Sequence, residues 1–208
     1  MQLLESLILE LENNTQLAIT DKEWQAVSSS SKLELHAFIE KGFRKEFILQ
    51  RQNYDSMYIA WEKNNDTNPD LDIKGSIDLI PWAVSTSKWD GVLWEEGSYM
   101  TDFYPIELIG QDTCIGLFQG DKYVSYHTPG EIPQCLFLDV ESYITLLSYT
   151  KGFHGWQECL VDLLTLEDEP DATLHIRTKL MMQYLPTLFD FNGETFIRLF
   201  NKLRKDKS

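Results

Sequence analysis

The apolar residues of this 208-residue chain change their spacing twice, and that switch limits what the chain can fold into. Leu4, Leu7, Ile8 and Leu11 share one face of a helix, which Asn13-Asn14 ends. Thr20-Asp21-Lys22-Glu23 reads as a capping box and predicts a helix whose buried stripe begins with Trp24 and Val27. Ser28 to Ser31 reads as a local break, because Ser31-Lys32-Leu33-Glu34 is a second capping box, followed by Leu35, Phe38, Ile39 and Phe43 at helical spacing. Tyr54, Met57, Tyr58 and Trp61 predict a further helix, ended by Asn64-Asn65-Asp66, and Pro69 prevents a restart.

From Ile73 to Phe137 the apolar residues come instead in short runs broken by turn residues, as strands require. The candidates are 77–80, 82–84, 91–94, 104–108, 113–118, 122–126 and 136–138, with a hairpin turn at Gln119-Gly120-Asp121-Lys122. Helical spacing then returns. Val140, Tyr143, Ile144 and Leu147 form one stripe and Leu160, Leu163 and Leu164 another. Ile176, Leu180 and Tyr184 form a third, expected to stop at Pro186, and Phe196, Leu199, Phe200 and Leu203 form the last. Helices, then strands, then helices predict an α+β fold with an antiparallel or mixed central sheet flanked by N- and C-terminal helices. With no internal repeat and no clean linker, one domain over 1–208 is expected, carrying a C-terminal helical extension from about residue 151.

Hydrophobic residues at 43% and aromatics at 12% suffice for a core. The 18 Lys and Arg against 33 Asp and Glu leave a net charge of -15. A field of that sign repels nucleic-acid phosphate and anionic lipid, so neither partner is expected, and it attracts basic proteins. The plainer reading of such a charge is solubility. Cys114, Cys135 and Cys159 are too few and too scattered for a disulfide framework, which favours reduced thiols and a cytoplasmic setting. The first twelve residues lack the basic start and unbroken apolar core of a signal peptide, and no run reaches membrane-spanning length.

Motifs for chemistry are sparse. Asp66-Thr67-Asn68-Pro69-Asp70 starts like a calcium loop, but Leu71 stands where glycine is needed and Ile77 where the bidentate Glu is needed. His154 and Cys159 lie near Glu158 and Asp162 without metal-ligand spacing. Gly110, Gly116 and Gly120 do not form a phosphate loop. His127, Asp112 and Cys114 come nearest to a catalytic set. The expectation is no metal, no cofactor and no catalytic residue. Glu95, Glu96, Asp102, Asp112 and Asp121 lie in or beside strand connections, interleaved with Trp89, Trp94, Tyr99 and Phe103. Aromatic anchors inside an acidic rim suit a binder of a basic protein, so Glu95, Glu96, Asp102, Asp121, Trp89, Trp94 and Tyr99 are the candidate partner-binding residues. The alternative is that these aromatics are core and these acids ordinary turn residues.

The stretch from Asp102 to Tyr149 resembles the SUKH superfamily, the domain first described in yeast cell-wall regulators of the Smi/Knr type and widespread in bacteria. The residues that carry the resemblance are Phe103-Tyr104-Pro105-Ile106 and Gly110-Gln111-Asp112, then Thr113-Cys114-Ile115-Gly116-Leu117 and Lys122-Tyr123-Val124-Ser125-Tyr126, and last the helix from Val140 to Leu147. It spans the middle third and leaves the helices after Lys151 unexplained. The resemblance implies an α+β domain without catalytic residues. Many bacterial members look like immunity proteins that neutralise secreted toxins, nucleases among them, and others look like regulatory or scaffold modules. The function expected on this basis is non-enzymatic protein binding, with toxin immunity as its first form and regulation or scaffolding as the alternative. An enzyme whose site assembles only in space is the third possibility.

Overall fold

A computed structural model describes residues 3–26, 54–64, 73–80, 103–110 and 113–204. Helix α1 (Leu3–Asn13) precedes seven strands: β1 (Leu17–Ala26), β2 (Tyr54–Lys63), β3 (Lys74–Leu79), β4 (Phe103–Gly110), β5 (Thr113–Phe118), β6 (Ser125–His127) and β7 (Gln134–Cys135). Helices α2 (Val140–Thr150), α3 (Trp156–Asp168), α4 (Ile176–Leu188) and α5 (Gly193–Leu203) follow. The strands form one antiparallel sheet in the order β1-β2-β3-β4-β5-β6-β7, so each strand pairs with its sequence neighbours. The class is α+β, with helices at both ends of the chain flanking the sheet, as the periodicity switch predicts.

The chain divides into two compact units. The first comprises 1–22, 59–76 and 142–206; the second comprises 23–58, 77–141 and 207–208.

In the first unit Leu4, Leu7, Ile8 and Leu11 of α1 are buried, as their spacing requires. The connection between α2 and α3 is its most constrained corner. Lys151 and Gly152 both adopt positive φ (58° and 64°), which stops α2 and lets the Gly152 amide donate back to the Leu147 carbonyl. The carbonyl of Lys151 accepts from the Trp61 indole at 2.8 Å, and its ammonium meets Glu10 at 2.6 Å. Phe153 bridges Gly75 in antiparallel fashion, and a Cβ at Gly75 would stand 2.5 Å from the Trp61 ring. Glycine is therefore required there by close approach, not by φ.

In the second unit β4 pairs with β5 from Phe103↔Phe118 to Gly110↔Thr113, with register shifts at Pro105/Glu107 and Leu108/Gly110. Proline has no amide to give the ladder, which suits a bulge beside it. The Phe103 ring lies over Gly116, where a Cβ would come within 2.5 Å of it, and packs on Phe118 at 5.0 Å. The β5–β6 turn places Gly120 at φ 87°, and the Asp121 amide donates to Phe118, as the hairpin reading expects.

Four expectations about local structure need correction. Residues 17–26 form β1, so Thr20 and Glu23 do not cap a helix and Trp24 is a strand residue. Tyr54–Lys63 is a strand as well: Met57, Ile59 and Trp61 are buried at period two, while Tyr58, Ala60 and Glu62 are not. Apolar residues at 54, 57, 58 and 61 also fit a helical face, and sheet pairing overrode that pattern. The strands expected at 122–126 and 136–138 shift to Ser125–His127 and Gln134–Cys135. Beyond β7 the Leu136 amide still donates to the Val124 carbonyl and the Val124 amide to the Leu138 carbonyl, with Phe137 bulged between them at φ 56°. Finally, Pro186 lies inside α4, which continues to Leu188. Burial of Leu185 and Leu188 holds this last turn, at the loss of one helix hydrogen bond. The second capping box, the helix over 35–43, the calcium-like turn and the strands at 82–84 and 91–94 lie outside the described residues.

Candidate functional site

Of the candidate partner-binding residues, Asp121 is described: it is exposed in the β5–β6 turn, and its charge is felt at Cys135. Trp89, Trp94, Glu95, Glu96, Tyr99 and Asp102 lie outside the described residues, as does Asp112. Phe103, expected among the interleaved aromatics, is 1% exposed and belongs to the core, because it supplies the ring that covers Gly116.

The fold does bring two of the catalytic candidates together. Cys114 on β5 stands directly opposite His127 on β6. Both are buried, and the His127 ring meets the Phe103 ring edge-on at 6.1 Å. Burial pushes the Cys114 thiol up to about 12, away from the thiolate a nucleophile needs. The pair is thus interior packing at this sheet face. Glu107, 1% exposed, is paired with Ile115, the residue after Cys114, and so faces the other side of the sheet. Register keeps Glu107 apart from Cys114 and His127.

A second cluster joins α3 to α4, and sequence reading missed it. Asp162, nearly buried, accepts from the His175 ring Nδ1 at 2.6 Å and from the His175 amide at 2.9 Å. The Thr178 hydroxyl donates to the same carboxylate. His175 is the N-cap residue of α4, so Asp162 supplies from another helix the acceptor that a capping side chain would normally provide. One turn earlier on α3, burial raises the Glu158 carboxyl, with the nearby charges of His175 and Arg177 opposing the rise. Cys159 is raised by burial to about 12 even though Thr178 hydrogen-bonds to it. The signal available in sequence was Asp162 lying one turn after Glu158; nothing in the spacing pointed to a His 13 residues on. Held by its carboxylate, the imidazole points a half-exposed ring outward, but the thiol beside it is sealed, and the cluster docks helices.

A third feature is the outer half of β1. Thr20, Asp21, Glu23, Trp24 and Gln25 are exposed, Trp24 at 47%. Among the described residues, no group of three or more His, Cys, Asp and Glu is placed to hold a metal ion, and no helix is long and apolar enough to cross a membrane. No family model, curated protein or solved structure matches the chain.

Proposed function

We propose that this chain is a non-enzymatic module that binds a basic protein, with neutralisation of a toxin as the setting its SUKH-like middle third suggests. The observation that carries the reading is the net charge of -15. A charge of that size attracts a basic partner over a Debye length and speeds encounter, whatever the contact surface. A nuclease, with a basic cleft for phosphate, is the partner chemistry it would serve best. The Cys114–His127 and Asp162–His175 arrangements favour binding over catalysis, since each is occupied in packing or capping and the thiols beside them are raised by burial. Glu95, Glu96, Asp102 and Asp121, with Trp89, Trp94 and Tyr99, stay the proposed acidic and aromatic contact surface.

The test starts from the partner. A photo-cross-linking residue at position 121 or 95, introduced in the source organism, should trap a protein of positive net charge. Its association with the purified chain should slow steeply as salt rises, and Glu95→Lys with Glu96→Lys should flatten that dependence. Where the partner is a toxin, making this chain in the same cell should restore growth. An acidic partner, or association indifferent to salt, would sink the reading.

A further inference from the structure

The loop between β6 and β7 is Thr128-Pro129-Gly130-Glu131-Ile132-Pro133, and it lies within the second unit. Of the large apolar side chains described, Ile132 is the most exposed, at 77%. A single exposed isoleucine is ordinary on a surface, but this one is held in place from both sides. The Glu131 amide donates to the Thr128 carbonyl at 3.2 Å, the Pro129 ring fixes its own φ, and Gly130 sits at φ 81°, the signature of a type II turn. On the other side, Pro133 confines the Ile132 backbone to extended conformations. Tyr126 pairs with Gln134 and closes the loop at its base. Ile132 is also β-branched, so its χ1 is stiff. An anchor fixed in this way loses little freedom when a partner covers it.

We infer that Ile132 is an apolar anchor, received by an apolar pocket on a basic protein, with Glu131 meeting a Lys or Arg at the rim of that pocket. The inference rests on the reading of the chain as a binder of basic proteins and gives that reading a contact residue. Charge and position both favour this occupant. Glu131 is exposed beside the anchor. Asp121, also exposed, is felt at Cys135, and Cys135 lies three residues from Ile132, about 10 Å of extended chain. Asp121, Glu131 and Ile132 therefore fit within one interface of ordinary size, about 800 Å² on each partner. Lys122 offsets Asp121 locally, so the long-range attraction comes from the net charge of -15 and Glu131 acts at the contact. A second copy of the chain is the competing occupant, and charge rejects it. A two-fold contact through this tip would bring Glu131 against Glu131, and two chains of charge -15 repel.

The probe is the protein trapped in the source organism by a photo-cross-linking residue at position 121 or 95, identified by mass spectrometry, purified and bound to the full chain. Ile132→Ala should weaken that binding about tenfold or more, mainly through faster dissociation. Its urea midpoint should match that of the unaltered chain, because the side chain is exposed, and this separates a lost contact from a lost fold. Glu131→Lys should slow association severalfold at low salt. Leu9→Ala, at another exposed apolar site, should bind as the unaltered chain does. In the complex, amide hydrogen exchange should slow within residues 128–133. A basic partner that binds Ile132→Ala with equal affinity, or that protects only other segments, overturns this anchor while leaving the general reading intact. A trapped partner of negative net charge overturns both, and a trap that holds no protein from either position counts against both.

Discussion

The α3–α4 junction and the outer half of β1 both carry carboxylates, and they use them in opposite ways. At the junction Asp162 is nearly buried, and three donors from His175 and Thr178 engage it. On β1, Asp21 and Glu23 are exposed, and Asp21 accepts one bond from the next amide in the chain. A buried charge must be paired and hydrogen-bonded or the fold loses several kcal/mol, roughly 3–5 when a partner is removed. An exposed charge contributes little to the fold and stays available to a partner. The net charge of -15 therefore mixes acids of two kinds, and burial with its hydrogen bonds sorts them.

The largest expected contrast is in thiol chemistry. Burial pushes the thiols of Cys159 at the junction and Cys114 in the sheet up to about 12 from an ordinary 9.0, so at pH 8 each should react with a thiol reagent on the order of a thousandfold more slowly than in denaturant. Cys135, half-buried and less strongly raised, should label first. Mass spectrometry of timed labelling checks this; prompt labelling of Cys159 would mean the junction is open. Next is stability. Asp162→Ala should cost roughly 2–4 kcal/mol in urea unfolding, because it strands the His175 amide and the Thr178 hydroxyl at the start of α4. Asp21→Ala should stay within about 0.5 kcal/mol. Equal costs would erase the distinction drawn here.

A third test uses pH. Burial raises the folded Glu158 carboxyl above its ordinary 4.5, so its charged form is the one the fold disfavours. Its stability contribution is then full below the unfolded value and is lost as pH rises through the folded value. Glu158→Gln should make the protein more stable at neutral pH and flatten the fall in stability just above pH 4.5. His175 and Arg177 oppose the shift, so the gain should be smaller than that of Asp162 is large. If Glu158→Gln destabilises the protein at neutral pH, the Arg177 and His175 attraction outweighs burial there.

What was legible in the sequence depended on whether local pattern and tertiary contact agreed. The stripes of α1, α2, α3 and α5 were readable because one face of each is apolar at helical spacing and mostly buried, with Leu163, Leu199 and Leu203 half-buried; in α4 the expected stripe of Ile176, Leu180 and Tyr184 is not the buried face, which is formed by Thr178, Met181, Leu185 and Leu188. The β5–β6 hairpin turn was readable because Gly120 supplies the positive φ it needs. Strands β1 and β2 were misread because Thr20-Asp21-Lys22-Glu23 mimics a cap and Tyr54, Met57, Tyr58 and Trp61 mimic a helical face. The residue that breaks the tie in β2 is Ile59, which is buried at 1% and fits only the strand period. The Asp162–His175 contact was invisible because it joins two helices through the turn between them. The opposition of Cys114 to His127 depends on the β5–β6 register, which sequence left open.

The smallest effect expected is at Lys22, and it sharpens the contrast most finely. Its ammonium pairs with Glu12 of α1, but the side chains are 24% and 36% exposed. Such a pair sits in high dielectric and orders two long side chains, so it contributes about 0–1 kcal/mol. Lys22→Ala should therefore lower stability by less than about 1 kcal/mol at low salt. The deficit should shrink as salt rises to a few tenths molar, because a Debye length of about 8 Å at physiological ionic strength already screens exposed charges. Asp162→Ala, by contrast, should keep its deficit across the same salt range, since its partners are bonded inside the α3–α4 junction. Urea midpoints of both variants at two salt concentrations decide the matter. A Lys22→Ala deficit as large and as salt-proof as that of Asp162→Ala would place β1 among the structural carboxylate sites and remove its acids from the surface open to a partner.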